Sequence, residues 1–135
     1  MRRFLGIFGA ALSFALLAAP AGAEDDPLDA FLWEARPIVV FADSARDPRF
    51  VEQMLEFERR AADMEERDVV ILTDTDPDAA GPLRKRLRPR GFQIVLIGKD
   101  GEIKLRRPHP MEAEALSRQI DRMPIRRREM QGGQS

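Results

Sequence analysis

Three short, mostly apolar runs rich in valine, isoleucine and leucine constrain the fold of this chain most. They cover residues 38–42, 68–73 and 92–98. A continuous apolar run of this length, without polar residues at alternate positions, is typical of a β-strand that is buried on both faces. Because such strands need a helical layer on each side of their sheet, the runs predict a layered α/β fold.

The segment between the first two runs predicts an amphipathic helix. Asp47 suits the N-cap position, and Pro48 suits the first helical position because no N–H is needed there. From Phe50 onward, apolar residues recur at intervals of three or four, which places them on one helical face. We therefore predict one long helix that ends near residue 66.

The remaining segments predict a short helix, a hairpin and a final helix. A basic helix begins at Pro82, and the Asp-Gly dipeptide within residues 99–102 is typical of a β-hairpin turn. Residues 103–106 alternate apolar and charged side chains, which predicts an edge strand. A helix over residues 111–123 follows, and we expect Pro124 to end it.

The predicted order of elements is β-α-β-α-β-β-α. A strand, a helix and a second strand form a right-handed parallel crossover, and the hairpin adds an antiparallel pair. We therefore predict an α/β three-layer sandwich around a mixed sheet. The order of elements is similar to that of the thioredoxin-like fold, and this resemblance implies a four-stranded mixed sheet whose third strand is antiparallel.

The first 23 residues have the three parts of a secretory signal peptide. Two arginines follow the first methionine, residues 4–19 form an uncharged apolar run, and Ala-Gly-Ala at 21–23 suits a cleavage site. The apolar run is shorter than the ~20 residues of a membrane-spanning helix. We predict cleavage after Ala23, no transmembrane segment after that cleavage, and export to the bacterial periplasm or exterior. The mature chain is predicted to form one domain over residues 24–130 and a flexible tail over residues 131–135.

The sequence contains no cysteine, and its formal net charge is −1. Without cysteine the chain has no thiol nucleophile, no zinc–thiolate site and no iron–sulfur ligand. Without an excess of basic residues it has no overall field that attracts nucleic acid. We therefore expect no nucleic-acid partner, and we assign no catalytic residue, no cofactor and no metal site.

Four segments carry a resemblance to a known family: FLWEARPIVVF, ERDVVIL, FQIVLIGKDGEIKL and IDRMPIRRREM. They resemble a domain of unknown function in small secreted bacterial proteins, in animal extracellular sushi-repeat proteins and in a related coiled-coil-domain matrix protein. The resemblance covers about residues 27–130. It implies a thioredoxin- or peroxiredoxin-like fold and transfers no catalytic residues to this chain.

The likeness to thioredoxins draws attention to two segments. Thioredoxins carry redox cysteines in the loop after the first strand and a cis-proline just before the third strand, but here residues 43–47 are Asp-Ser-Ala-Arg-Asp and residues 90–93 are Arg-Gly-Phe-Gln. Both parts of the thiol–disulfide mechanism are missing. We therefore predict a redox-inactive binding module for a periplasmic or envelope protein. The expected binding surface is the edge where thioredoxins hold substrate, made of Asp43, Ser44, Arg46, Asp47, Gly91, Phe92 and Gln93.

Two other functions remain open. Ser44 and His109, the only histidine, would serve as nucleophile and base of a hydrolase if the fold brought them within hydrogen-bond reach. Alternatively, exposed arginines would dock the protein on an anionic surface of the cell envelope. These arginines lie in two basic segments: Arg84, Arg86, Arg88, Arg126 and Arg127.

Three further features have a structural interpretation. Residues 74–78 imitate the start of a calcium loop but lack its later glycine and glutamate, so we expect an ordinary loop. Residues 98–101 have the Gly-x-x-Gly spacing of a nucleic-acid-binding loop, but the flanking strands predict a hairpin turn. Trp33, the only tryptophan, is expected to cover the core, with an aromatic ligand platform as the alternative.

Overall fold

A computed structural model describes residues 26–132, so the predicted signal peptide and residues 133–135 lie outside the described residues. One mixed sheet has the strand order β2-β1-β3-β4. β1 is parallel to β2, whereas β3 is antiparallel to both of its neighbours. The predicted four-stranded mixed sheet with an antiparallel third strand is confirmed. Its strands are β1 (Arg36–Phe41), β2 (Val69–Asp74), β3 (Gln93–Ile97) and β4 (Ile103–Arg107).

Five α-helices and two short 3-10 turns accompany the sheet in the described part of the chain. None of these helices is long and apolar enough to cross a membrane. The 3-10 turns lie at Asp29–Phe31 and Pro77–Ala79. The helices are α1 (Pro48–Arg59), α2 (Ala61–Glu66), α3 (Pro82–Leu87), α4 (Ala113–Asp121) and α5 (Pro124–Gly132).

Two hydrophobic clusters lie on opposite faces of the sheet, as expected for a three-layer sandwich. Because side chains alternate along a strand, Ile38 and Val40 of β1 face one cluster, whereas Val39 and Phe41 face the other. The first cluster packs on α1, α2 and α4. The second packs on α3, where Leu87 is buried, and on the segment that precedes β1.

The two outer strands are less buried than the two central ones. β1 is buried along its whole length, and β3 is buried except at Gln93. The prediction of a fully buried strand over residues 68–73 is wrong, because β2 lies at a sheet edge and its side chains are partly exposed. The prediction that the fourth strand lies at an edge is confirmed.

The helix boundaries differ from the predicted ones at two places. The predicted long helix is two helices, since Arg60 has φ −118° and separates α1 from α2 without a local glycine or proline. Pro124 begins α5 instead of ending the preceding helix, because proline fits the first turn of a helix. α5 also includes Gln131 and Gly132, the first two residues of the predicted tail.

A buried glutamine fixes the chain between β4 and α4 onto α1. The amide of Gln53 donates a hydrogen bond to the carbonyl oxygen of Met111 at 3.1 Å and accepts one from its N–H at 2.7 Å. One turn later, the Glu56 carboxylate accepts a hydrogen bond from the N–H of Ala113 at 2.9 Å, at the start of α4. Hydrogen bonds to the backbone thus set the position of α4 beside α1.

We predict that Gln53→Leu lowers the free energy of unfolding by about 2 kcal/mol, because two backbone groups of Met111 lose their hydrogen bonds. Glu52→Leu is the matched control, since Glu52 is exposed on the same helix. Urea denaturation of both variants measures the difference. Equal stability of the two variants would contradict the assignment.

Candidate functional site

The structure brings the two predicted segments to the same end of the sheet. Residues 43–47 follow β1, and residues 91–93 lead into β3. Phe41 and Gln93 are paired in the β1–β3 register, so the two segments lie beside each other at the C-terminal end of β1. The parallel strand β2 also ends here, at Asp74.

The loop over residues 43–47 is held in a fixed shape by its own polar groups. Ser44 Oγ accepts a hydrogen bond from the N–H of Arg46 at 3.0 Å, and the carbonyl oxygen of Ser44 accepts one from the N–H of Asp47 at 3.1 Å. Asp47 Oδ1 accepts a hydrogen bond from the N–H of Arg49 at 2.9 Å, which confirms Asp47 as the N-cap of α1. Asp43, Ser44 and Arg46 are exposed.

The start of α1, where a thioredoxin would activate a thiol, is occupied by an ion pair. The Arg49 guanidinium donates to Asp47 Oδ2 at 2.7 Å and to Oδ1 at 3.1 Å. These hydrogen bonds hold the pKa of Asp47 below its usual range. The carboxylate is therefore charged and engaged as a helix cap, and it acts here as a structural group.

The second segment contributes less surface than predicted. Phe92 is only 1% exposed because its side chain points into the first hydrophobic cluster, so its place in the predicted surface is corrected to the core. The guanidinium of Arg49 lies 5.4 Å from the centre of its ring. Gln93 Oε1 accepts a hydrogen bond from Arg106 at 2.9 Å, and Gly91 has φ +59°, a conformation that suits glycine.

Two of the arginines expected to dock the protein on an anionic surface are largely shielded from solvent and paired. Arg84 donates to Asp74 Oδ1 at 2.9 Å and to the carbonyl oxygen of Ala42 at 2.7 Å, and it lies over the ring of Phe41. Arg126 is buried among the carboxylates described below. The expectation of exposure is therefore wrong for these two, because each satisfies acceptors inside the fold. Arg86 pairs with Asp26 at 2.7 Å, and Arg88 and Arg127 are exposed.

The structure does not join Ser44 to His109. Ser44 Oγ bonds within its own loop, and His109 Nδ1 lies 3.3 Å from the carbonyl oxygen of Pro110. Both residues are exposed. A general base must lie within hydrogen-bond reach of its nucleophile, and neither side chain bonds to the other here.

Two loops have the ordinary structures that we expected. Asp74 accepts a hydrogen bond from the N–H of Asp76 at 3.1 Å, and Asp76 accepts one from Ala79 at 3.3 Å, so both carboxylates organise the loop before α3. Residues 98–101 form the turn of the β3–β4 hairpin, in which Gly101 N–H donates to the carbonyl oxygen of Gly98 at 3.0 Å. The hairpin prediction is confirmed.

A polar network that we did not predict lies at the opposite, N-terminal end of β1. Arg36 is 1% exposed, and its guanidinium donates two parallel hydrogen bonds to the Glu129 carboxylate at 3.3 and 3.2 Å. It also donates to the carbonyl oxygen of Arg67 at 2.8 Å. A fork of this kind fixes the relative position of both partners. Arg36 therefore ties β1 to α5.

The network continues to the β3–β4 turn. Lys99 Nζ lies 2.7 Å from Glu129 Oε2 and 2.8 Å from Asp68 Oδ2. Burial by itself raises the pKa of Glu129, but hydrogen bonds from Lys99 and Arg36 outweigh it and hold this pKa below its ordinary value. Glu129 is therefore a charged carboxylate held between two cations.

A second branch joins α2, α4 and α5. Arg67 donates to both oxygens of Asp121, at 3.0 and 2.9 Å, and Arg126 donates to Asp121 Oδ1 at 3.3 Å. The hydrogen bond from Arg67 is the main cause that lowers the pKa of Asp121. Arg126 Nη1 also donates to the carbonyl oxygen of Glu66, at 3.3 Å.

Each of the four segments that carry the family resemblance contributes to this network. The first contributes Arg36, the second Arg67 and Asp68, the third Lys99, and the fourth Asp121, Arg126 and Glu129. An arginine directly before an apolar strand was the available sequence signal, since a guanidinium at that position must find a partner when the strand is buried.

Trp33 corrects a further prediction. Its side chain is 67% exposed, so it does not cover the core. Its backbone has φ +64°, and its N–H donates to the carbonyl oxygen of Lys99 at 2.8 Å. This backbone conformation is uncommon for a bulky residue.

Comparison with known proteins identifies a family without an assigned function. The family described as "Domain of unknown function (DUF4174)" matches residues 27–129. No curated protein matches the sequence.

Two of the solved structures that are similar to this chain illustrate its fold. The reduced 2-Cys peroxiredoxin of Plasmodium vivax has a TM-score of 0.59 and 12% identity, over 76% of this chain and 84% of that one. Chloroplastic thioredoxin z has a TM-score of 0.50 and 27% identity, over 65% of this chain and 80% of that one. The thioredoxin-like fold predicted from the sequence is confirmed.

We predict that Glu129→Gln lowers the free energy of unfolding by about 3 kcal/mol at pH 7, because buried Arg36 loses its charged partner. The folded-state pKa of Glu129 is lowered, so its contribution is present above pH of about 4.5 and is lost as the pH falls further. The variant should therefore lose less stability than the parent protein between pH 5 and about pH 3. Denaturant unfolding at several pH values measures both effects.

Glu65→Gln is the control for this experiment. Glu65 is exposed on α2, and its side chain forms no ion pair with any residue between 26 and 132. This control should behave as the parent does at every pH. If Glu129→Gln showed the same acid dependence as the parent, Glu129 would not be part of the pH response.

Proposed function

We propose that this chain, which belongs to the DUF4174 family of domains of unknown function, is an exported protein-binding domain. Its thioredoxin-like fold would serve as a scaffold, and binding would require no thiol chemistry because the sequence contains no cysteine. The binding surface is the loop over residues 43–47 together with the outer face of α1, which begins directly after it.

The observation that carries this proposal is a fixed loop whose outward side chains are not used by the fold. Ser44 and Asp47 bond to the loop backbone and hold its shape. The side chain of Arg46 forms no hydrogen bond or ion pair within residues 26–132. A preformed loop loses little conformational entropy on binding. The side chain of Arg46 is therefore available to bind a partner at a low entropic cost.

An apolar strip on α1 extends this surface. Val51 and Leu55 are 44% and 48% exposed and lie one helical turn apart on the same face. Together with Phe50 and Met54 they line a shallow groove on α1. Protein interfaces commonly have an apolar centre with a polar rim, and here the rim would include Asp43 and Arg46.

The partner that fits this surface is a protein of the periplasm or the cell envelope. It would place an apolar side chain against Val51 and Leu55 and a carboxylate against Arg46. The similar structure of chloroplastic thioredoxin z is described as defining a type-specific target recognition. We extend target recognition to this chain, with side-chain contacts in the place of a disulfide exchange.

We predict that the tagged mature domain captures a specific protein from periplasmic extract and that Asp43→Ala with Arg46→Ala reduces this capture at least tenfold. Interface side chains of this kind commonly contribute more than about 1 kcal/mol each. Leu55→Asn should have the same effect, because it makes the apolar strip polar. Quantitative pull-down measures the recovery, and thermal unfolding verifies that each variant is folded.

Arg88→Ala is the matched control, since Arg88 is an exposed arginine on another helix terminus. It should recover as much partner as the parent domain. Equal recovery by the loop variant, the strip variant and the control would contradict the proposed surface.

We predict that the full chain, expressed in a bacterium, is recovered from the periplasm with Glu24 as its first residue. The basic start, the apolar run and the Ala-Gly-Ala sequence would direct export and cleavage. N-terminal sequencing of the periplasmic protein measures the cleavage position. Replacement of Ala23 by a bulky residue should block cleavage there, and a protein that stays uncleaved in the cytoplasm would contradict export.

A further inference from the structure

The N-terminal end of β1 presents an aromatic side chain that the fold does not bury. The indole ring of Trp33 is exposed, and the N–H group of that ring, Nε1–H, has no hydrogen-bond partner within residues 26–132. The backbone of Trp33 is nevertheless held by the hydrogen bond from its own N–H to the carbonyl oxygen of Lys99, in a conformation with positive φ. A strained, fixed residue with an exposed aromatic ring is typical of a binding position.

Trp33 stands at the rim of a pocket of about 390 Å³. A pocket of this size suits a small organic molecule. One part of the wall is apolar and comes from Met123, Pro124 and Ile125, at the junction of α4 and α5. The other part is charged, with four cationic side chains and two carboxylates: Arg36, Lys99, Lys104, Arg128, Asp100 and Glu102.

The fold already neutralises most of these charges. Arg36 and Lys99 share Glu129. Lys104 Nζ lies 2.9 Å from Asp100 Oδ2 and 3.2 Å from Glu102 Oε2, so both carboxylates of the wall have a cationic partner. The two carboxylates of the wall thus share the single positive charge of Lys104.

Arg128 is the exception in this wall. It is exposed on α5, and its guanidinium forms no hydrogen bond or ion pair with any described residue. A guanidinium binds a carboxylate through two parallel hydrogen bonds. Arg128 is thus the one cation of this wall that no described carboxylate pairs with, and the geometry of its guanidinium favours a planar anion.

We propose that this pocket binds a small aromatic carboxylate. The ring of the ligand packs against the indole of Trp33 and the apolar wall at Met123 and Ile125, and its carboxylate pairs with Arg128. The same chemistry occurs in a free aromatic acid and in the C-terminus of a peptide that ends in phenylalanine. The site lies at the opposite end of β1 from the loop over residues 43–47, so it is independent of the protein-binding surface proposed above.

The test is a titration of the mature domain with phenylacetate, in which the signals of Trp33 report binding. Since Trp33 is the only tryptophan, its fluorescence and its single indole N–H resonance report on this pocket alone. We expect saturable changes in both with a Kd of about 1 mM or lower. Phenylacetamide, which has the same shape without the charge, and acetate, which has no ring, should each bind at least tenfold more weakly.

Two neighbouring arginines provide a matched pair of variants. Arg128→Gln should weaken phenylacetate binding at least tenfold, whereas Arg127→Gln, an exposed position on the same helix outside the pocket, should leave it within twofold. Both variants keep the buried network intact, and thermal unfolding should confirm that they fold.

A second arm distinguishes the sources of the ligand. If Gly-Gly-Phe binds more tightly than phenylacetate and its C-terminal amide does not bind, the site recognises peptide C-termini. If phenylacetate binds more tightly, the site recognises free acids, and either result supports the proposal. No saturable change at Trp33, or equal binding by phenylacetamide or by Arg128→Gln, would overturn it.

Discussion

The buried guanidinium of Arg36 is the interaction on which the rest of this structure most depends. A charge at the start of the central strand must be paired, because an unpaired buried ion costs several kcal/mol. Glu129 supplies the pair from α5, and Lys99 joins it from the β3–β4 turn. The positions of the last helix and of the hairpin are therefore coupled to the first strand. The same coupling sets the position of the Trp33 backbone, because the backbone N–H of Trp33 donates a hydrogen bond to the carbonyl oxygen of Lys99.

The two ends of β1 consequently differ in character. At the C-terminal end, the loop over residues 43–47 leads into a capped helix, and an Arg49–Asp47 ion pair stands at the start of that helix. At the N-terminal end, an ion network supports a pocket with a mixed lining. One fold can carry sites of unrelated chemistry, so the two ends of β1 are to be judged by their own side chains.

The sequence predicted those features that depend on neighbouring residues. The strand runs, the Asp47 cap and the Asp-Gly turn follow from local backbone preferences, and they fixed the element order. The network could not be predicted in this way, because Arg36 and Glu129 are separated by 93 positions. The arginines at 84 and 126 were expected at the surface because composition alone does not show which carbonyl or carboxylate groups the fold places beside them. The prediction that Trp33 covers the core was wrong because the conformation of its backbone depends on a hydrogen bond to Lys99, which lies in a turn distant in the sequence.

The position of β2 at the sheet edge affects whether two copies of this chain can associate by pairing their strands. Among the described strands only β1 pairs with it, so every second N–H and C=O along Val69–Asp74 points away from the sheet. The strand contains no proline and no lysine, the residues that commonly prevent a foreign strand from adding to such an edge. Its sequence, VVILTD, is also strongly β-forming. No residue within the edge blocks strand addition, and the acidic side chain at its end, Asp74, is already paired with Arg84, so β2 lacks the usual safeguards against pairing with a second copy.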